Sequence, residues 1–265
     1  MIEIKALTVE RYKVKVKEAK KEHTYSVLSE TLMDLNLFKP RTLTEEEFQS
    51  LKKAAMLDDL KDKAIYFISF QARLSSEVQD FLKKKGASNK QVNDLLEEFK
   101  KSNLLNDEAY VSSYIDSAIN YDYDGPYKVR DKLLKKGAAS DIVHQYLDKY
   151  TREIEREKLV YLVEKECQYK IKKPLQKTLS SLKHKYQTKG FHLDVVDDVL
   201  DQYKEDLRMQ IDEEYLLEEE IKKLPNKMFL KENRQKLVAK LMRKGYSYSL
   251  IKEIVKGGDF DEDIQ

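Results

Sequence analysis

The sequence predicts a mainly α-helical protein of tandem three-helix repeats, preceded by a small β-hairpin and helices. Three observations lead there. Glycine and proline are scarce, seven and four in 265 residues, while 37% of residues are charged and 41% hydrophobic. That balance suits helices with solvated outer faces better than a turn-rich β fold. Four segments then share one pattern of a basic residue followed by glycine: FLKKKGASNKQVNDLLEEF, KLLKKGAASDIVHQYLDKY, KYQTKGFHLDVVDDVLDQY and KLMRKGYSYSLIKEIV. Finally, Tyr12-Lys13-Val14-Lys15-Val16 alternates strictly, the period of a strand with one buried face.

In chain order, the alternating run and the β-rich Thr24-Tyr25-Ser26-Val27-Leu28 flank a polar turn around Lys20–Glu22 and form the predicted hairpin. Thr44 with Glu47 makes a capping box that opens a helix over about 45–56. The repeats follow. Their glycines, Gly86, Gly137, Gly190 and Gly245, are 51, 53 and 55 residues apart. Four residues before each stands Leu82, Leu133, Tyr186 or Leu241, and eight before stands Val78, Val129, Leu182 or Leu237. Ten after comes Leu96, Leu147, Leu200 or Val255. Shared helical periodicity alone does not hold four copies in this register.

Each copy reads as helix–glycine–helix. The i, i+4 apolar pair places one stripe on the incoming helix. The glycine stands where a left-handed residue ends that helix, with Lys or Arg in the last turn facing the negative end of the dipole. Ser88 with Gln91 fits a capping box, Ser140 an N-cap, and Pro126 a first helical position. A third helix lies between successive pairs, at roughly 58–72, 107–121, 153–170 and 211–223, the second opened by Asn106-Asp107-Glu108. The chain therefore divides into 1–56 (hairpin and helices), repeats at 57–105, 106–151, 152–208 and 209–256, and an acidic, disordered tail at 257–265. A unit of about 50 residues hardly buries its own core, whereas stacked neighbours do.

Chemistry is hard to find. No GxxxxGK[ST] or GxGxxG loop is present. His23, His144, His184 and His192 are scattered and no CxxC exists, so no metal site and no cofactor are predicted. The single Cys167 has no base nearby in sequence and reads as a structural thiol in a reducing compartment. Asp212-Glu213-Glu214 and Glu218-Glu219-Glu220 fall on a helix with an apolar stripe and read as a solvated acidic face. The run Ala64–Phe70 is the longest nearly apolar stretch, far short of the ~20 residues of a spanning helix. The N-terminus lacks the apolar core of a signal peptide. A soluble, cytoplasmic, non-enzymatic protein is expected.

The stretch LLNDEAYVSSYI…YDYDGPYKVRDKLLKKGAASDIVHQYL resembles the RecX family, bacterial regulatory proteins of the recombinase RecA. The resemblance rests on Leu105, Asp107, Glu108, Tyr110 and Val111, then Gly125, Arg130, Leu133, Lys136, Gly137, Ile142 and Leu147. Arg73-Leu74-Ser75-Ser76-Glu77, with Leu82 and Lys85, looks like the family's other recurrent block. Residues 151–256 fit as weaker copies, and the N-terminal part resembles the extension of longer, Gram-positive-type members. Val129 and Tyr186 depart from the family's usual residues but keep apolar character. The resemblance implies an elongated, curved array of three-helix units; stacked repeats need no partner subunit to complete their core, so a monomer without a membrane partner is expected. It further implies binding to RecA and RecA–DNA filaments and restraint of recombinase, ATPase and co-protease activity in DNA repair and the SOS response; the basic clusters described next make single- and double-stranded DNA candidate partners.

The net charge of +2 hides blocks of opposite sign. Eight Lys stand against one acid across 165–190, twelve acids against two basic residues across 194–220, and nine basic residues against one Glu across 222–244. Packing of oppositely charged helices accounts for any single block. The sharper expectation is a stripe of pre-glycine clusters: Lys83-Lys84-Lys85, Lys135-Lys136, Lys189 and Arg243-Lys244, flanked by Lys128 and Arg130. Such a stripe could meet acidic RecA surfaces or DNA phosphate. Two alternatives stand beside it. A helix-turn-helix regulator would rely on one recognition helix, and a helical-repeat scaffold unrelated to RecA would share only the stack.

Overall fold

The structure is a computed structural model, and it describes residues 2–8, 13–18, 21–225, 228 and 233–255. The predicted tail at 257–265 lies outside the described residues, as do Tyr12 and Lys20 of the predicted hairpin. The protein is mainly helical, with a small antiparallel sheet near its start. It forms two compact units. One holds everything up to Ser112 together with Lys135–Ala139, and the other holds Ser113–Leu134 and the chain from Ser140 onward.

The first unit opens with β1 (Ile2–Thr8), β2 (Lys13–Glu18) and β3 (Lys21–Ser26), joined after α1 (Ser29–Asp34) by the short β4 (Thr42–Leu43). The order is β3-β2-β1-β4. The expected hairpin is β2–β3, with Val14 opposite Tyr25 and Val16 opposite His23. Val14 and Val16 are buried and Lys13 and Lys15 exposed, as the alternation requires. β1 and β4 were not legible as strands. They pair antiparallel to each other, and β1 also pairs with β2.

α2 (Glu45–Ser69) differs from expectation: one 25-residue helix replaces a break near residue 56. The capping box is present, Thr44 Oγ1 accepting from Glu47 N at 3.1 Å and Glu47 Oε2 from Thr44 N at 2.8 Å. No Gly or Pro interrupts 45–69, and both halves bury an apolar stripe. Phe48, Leu51 and Ala55 pack into the core under the sheet, with Val14, Val16, Leu32 and Leu43. Leu60, Ala64 and Ile68 pack into the next core, against α3 (Ser75–Lys84) and α4 (Asn89–Lys101) through Val78, Leu82, Val92, Leu95 and Phe99. One helix thus serves two cores.

The later repeats are α5 (Asp107–Tyr121), α6 (Pro126–Lys135) and α7 (Ser140–Leu147), then α8 (Arg152–Glu166), α9 (Leu175–Thr188) and α10 (Leu193–Gln202). The last are α12 (Glu213–Lys222), α13 (Arg234–Arg243) and α14 (Tyr248–Val255), with a short unforeseen α11 (Lys204–Met209) before them. The residues four and eight before each glycine are all buried. The deepest position after it is the sixth, Val92, Val143, Val196 or Ile251, rather than the tenth. Leu96, Leu147 and Val255 are only half-buried. Tyr186 fills the leucine position completely, and its hydroxyl finds no partner among the described residues. Ser140 begins α7 itself, its hydroxyl 3.2 Å from His144 Nδ1.

All four repeat glycines have positive φ, between +86° and +100°. After α3, Gly86 N donates to Lys83 O at 3.0 Å and Ala87 N to Leu82 O at 3.1 Å. The same pair recurs at Gly190–Phe191 and at Gly245–Tyr246, the paired bonds of a Schellman ending. Their surroundings differ. A Cβ on Gly86 would meet nothing within 4 Å, whereas one on Gly190 would overlap the Lys128 backbone at the start of α6. Gly86→Ala should therefore cost only the left-handed penalty of about 1–2 kcal/mol. Gly190→Ala adds a backbone clash and should cost about 3 kcal/mol or more. Thermal unfolding checks this, and equal losses for the two variants would contradict it.

Candidate partner and nucleic-acid interface

The repeat turns carry the predicted contact residues, and the structure gives them unequal freedom. Lys83, Lys84 and Lys85 follow one another on the last turn and C-cap of α3, all exposed. Lys83 and Lys84 have no carboxylate partner among the described residues. Lys85 Nζ lies 5.5 Å from the Phe81 ring centroid, and Phe81 stacks on Phe67 at 4.4 Å with Arg73 4.2 Å beyond. Lys135 is exposed and unpaired among the described residues. Its neighbour Lys136 sits 3.9 Å from Glu77 Oε1 and 5.7 Å from the Tyr110 ring.

In the second unit, Lys128 Nζ is held by Asp124 Oδ1 at 2.9 Å, and Arg130 lies beside Asp131 at 3.2 Å and over Tyr127 at 5.4 Å. Lys244 is ion-paired to Glu220. Arg243 Nε donates to Ala239 O at 3.2 Å, along its own helix. Lys189 is half-buried, and its carbonyl accepts from Gly125 N at 2.7 Å.

Contacts between repeats decide which clusters meet. Each of the last three turns packs on the first turn of the middle helix before it. Gly137 faces Ser76 of α3, where Ser76 Oγ donates to Lys136 O at 2.9 Å. Gly190 faces Lys128 of α6, and Gly245 faces Lys177 of α9. Lys136 and Lys83–Lys85 therefore stand at opposite ends of α3, about 12 Å apart along its axis at 1.5 Å per residue. Arg243-Lys244 and Lys189 likewise stand at opposite ends of α9, about 18 Å apart along its axis. Lys189 is instead brought to Lys128, and Arg243-Lys244 to lysines that the pre-glycine pattern did not single out: Lys172, Lys173, Lys177 and Lys223. The signal for three of those was the eight-lysine block at 165–190.

Two acidic residues of the blocks that carry the family resemblance are engaged within the protein. Asp107 Oδ1 accepts from Ser75 N at 2.7 Å, closing the first turn of α3 from α5. Glu77 Oε2 accepts from Leu74 N at 3.1 Å. Glu213, read from sequence as part of a solvated acidic face, accepts from Leu175 N at 2.7 Å and closes α9 from α12. Asp212 accepts from Tyr215 N at 3.1 Å, capping α12. Glu220 is held below the usual carboxylate range by its hydrogen bond from Lys244.

His192 Nδ1 lies 2.9 Å from Glu155 Oε2, a buried carboxylate that also accepts from His192 N at 2.6 Å. Cys167 is half-buried, and burial pushes its thiol up. Among the described residues no group of three His, Cys, Asp or Glu side chains could hold a metal ion, and no helix is long and apolar enough to cross a membrane.

No family model matches the chain. Individual relatives do. It is 31% identical over 241 residues to a protein of Streptococcus uberis named regulatory protein RecX, covering 86% of this chain and 91% of that one. It is 28% identical over 266 residues to the regulatory protein RecX of Geobacillus sp. (strain WCH70), covering 97% of each. Among solved structures, a crystal structure of regulatory protein RecX superposes with a TM-score of 0.62 at 23% identity, over 71% of this chain and 94% of that one. RecX from Lactobacillus salivarius superposes at 0.53 with 26% identity, over 59% and 99%.

Asp124 joins the turns to their charges. It is buried, accepts from Lys132 at 2.7 Å and Lys128 at 2.9 Å, and its carbonyl accepts from the buried Tyr150 hydroxyl at 2.8 Å. Burial pushes its carboxyl up, but the hydrogen bonds from Lys132 and Lys128 outweigh that and hold it below the ordinary value of 3.8. A lowered folded value stabilises the fold above the unfolded value, and this contribution is lost as pH falls through the folded one. The melting-temperature advantage of the natural protein over Asp124→Asn should be present at about pH 6 and shrink below about pH 4. A gap independent of pH would contradict this.

Proposed function

The chain belongs to the RecX family, and we propose that it is a non-enzymatic regulator of the recombinase RecA. In this reading it binds RecA and RecA–DNA filaments and restrains recombinase, ATPase and co-protease activity. The observation that carries the proposal is likeness to regulatory proteins along nearly the whole chain, 97% of it against the Geobacillus protein. The same likeness weighs against a helix-turn-helix regulator and an unrelated scaffold.

The structure adds support through charge. Lys83, Lys84 and Lys135 carry ammonium groups that no carboxylate neutralises among the described residues, and they sit in the last turns of α3 and α6. Such cations meet an anionic surface without first breaking an internal ion pair. Lys128, Lys136 and Lys244 already hold internal carboxylates, so their removal would weaken the fold as well as any contact.

The test is DNA-dependent ATP hydrolysis by the cognate RecA on single-stranded DNA, titrated with this protein. Inhibition is expected, and inhibition well below one copy per RecA points to blocked filament growth rather than groove occupancy. The triple variant Lys83→Ala/Lys84→Ala/Lys135→Ala should inhibit several-fold less while its far-ultraviolet circular dichroism is unchanged. Unaltered ATP hydrolysis and filaments at saturating natural protein would overturn the proposal. Full inhibition by the triple variant would remove these lysines from it.

A further inference from the structure

We infer that the cleft between α9, α12 and the α13–α14 turn is a binding site for the phosphodiester backbone of a nucleic-acid strand. The cleft encloses about 540 Å³ and brings together Lys172, Lys173, Lys177, Lys223, Arg243 and Lys244. Glu219 and Glu220 are its only carboxylates among the described residues, and both are engaged. Glu220 holds Lys244, with Lys223 at 3.6 Å, and Glu219 holds Lys222 at 2.9 Å. Lys172, Lys173 and Lys177 are exposed and have no carboxylate partner among the described residues. Three uncompensated ammonium groups therefore line one wall, at the beginning of α9.

The helix end adds to this. α9 spans 14 residues, and its Leu175 N–H is taken by Glu213. The next two amides, of Gln176 and Lys177, have no acceptor among the described residues. Unbonded first-turn amides and the positive end of the helix dipole favour an anion beside these lysines. The sequence-level stripe included only Arg243 and Lys244 of this set. It is the packing of Gly245 against the Lys177 side chain that assembles the rest.

The lining also fixes how a strand is read. Tyr246 is the one aromatic residue among the described ones lining the cleft, and it is 5% exposed with its hydroxyl on Leu216 O at 3.0 Å. Among the described residues no aromatic face is open there to stack a base, and the uncompensated groups of the α9 wall are lysines, which act on phosphate as point charges. Backbone recognition without sequence preference follows, with the salt dependence of released counterions. This deepens the DNA part of the proposed function and rests on it, but it needs no RecA.

The experiment is fluorescence anisotropy of a labelled thymidine oligonucleotide of about 20 residues with the full chain, from about 50 to 200 mM salt. The natural protein should bind, with affinity falling steeply with salt. Lys172→Gln/Lys173→Gln/Lys177→Gln should bind about tenfold or more weaker, and its log–log salt slope should be shallower by about 2, at about 0.7 per phosphate contact on single strands. Glutamine at 177 keeps methylene groups against Gly245. The milder Lys172→Gln/Lys173→Gln, remote from that contact, should give an intermediate loss with unchanged thermal unfolding. No binding by the natural protein overturns the inference, as does natural affinity and slope in both variants. Displacement of the oligonucleotide by a polyglutamate peptide as efficiently as by unlabelled oligonucleotide would make the cleft a peptide site and overturn it too. Failure of the RecA reading would show instead as unaltered ATP hydrolysis, with these binding results intact.

Discussion

The structure depends on how helix ends are closed. The first turn of any helix leaves N–H groups without an acceptor in that helix, and in this protein the following repeat supplies several of those acceptors. Asp107 bonds Ser75 N, Glu213 bonds Leu175 N, and the carbonyls of Lys189 and Gly190 bond Gly125 N and Tyr127 N at 2.7 and 3.1 Å. The last case is the most economical: the carboxyl end of α9 and the turn after it meet the amino end of α6, so opposite ends of two helix dipoles face each other. Hydrogen bonds to charged groups contribute about 1.5–3 kcal/mol each, and a buried amide left unbonded costs about as much. Loosening one repeat therefore uncaps a helix in the one before it.

This arrangement explains why the turn residue is glycine in two distinct senses. Positive φ is required at all four turns, but at Gly190 the missing side chain also admits the α6 backbone, and Gly125 faces it so closely that a Cβ there would overlap the Gly190 carbonyl. Two facing glycines let two backbones bond directly. Gly86 has no such neighbour among the described residues and keeps only the conformational reason. The motif blocks thus encode stacking, and of the lysines around them Lys128, Lys136 and Lys244 hold internal carboxylates while Lys83, Lys84 and Lys135 hold none among the described residues.

Much of this was legible in the sequence. The glycine register, the buried positions four and eight before it, and the Thr44–Glu47 and Ser88–Gln91 boxes follow from local rules of periodicity and capping. Other features were not. Nothing local distinguishes the carboxylate of Asp107 or Glu213 from a solvated one, because the amide each one bonds is 32 or 38 residues away. The buried residue six after each glycine was masked by the neighbouring apolar positions of the same amphipathic helix. α2 runs through its expected break because its stripe turns from one core to the next without a helix breaker. The cleft at α9 was visible only as a charge block, since a loop, a helix end and a turn meet there through packing rather than sequence proximity.

The most direct measurement of the capping account is native-state hydrogen exchange resolved at single amides. If following repeats close these helix ends, the amides of Ser75, Gly125, Tyr127 and Leu175 should exchange as slowly as those inside α3, α6 and α9. The Gln176 and Lys177 amides, which have no acceptor among the described residues, should exchange much faster. Fast exchange at Ser75, Gly125, Tyr127 and Leu175, with helix interiors still protected, would contradict the account and leave the repeats held by apolar packing alone.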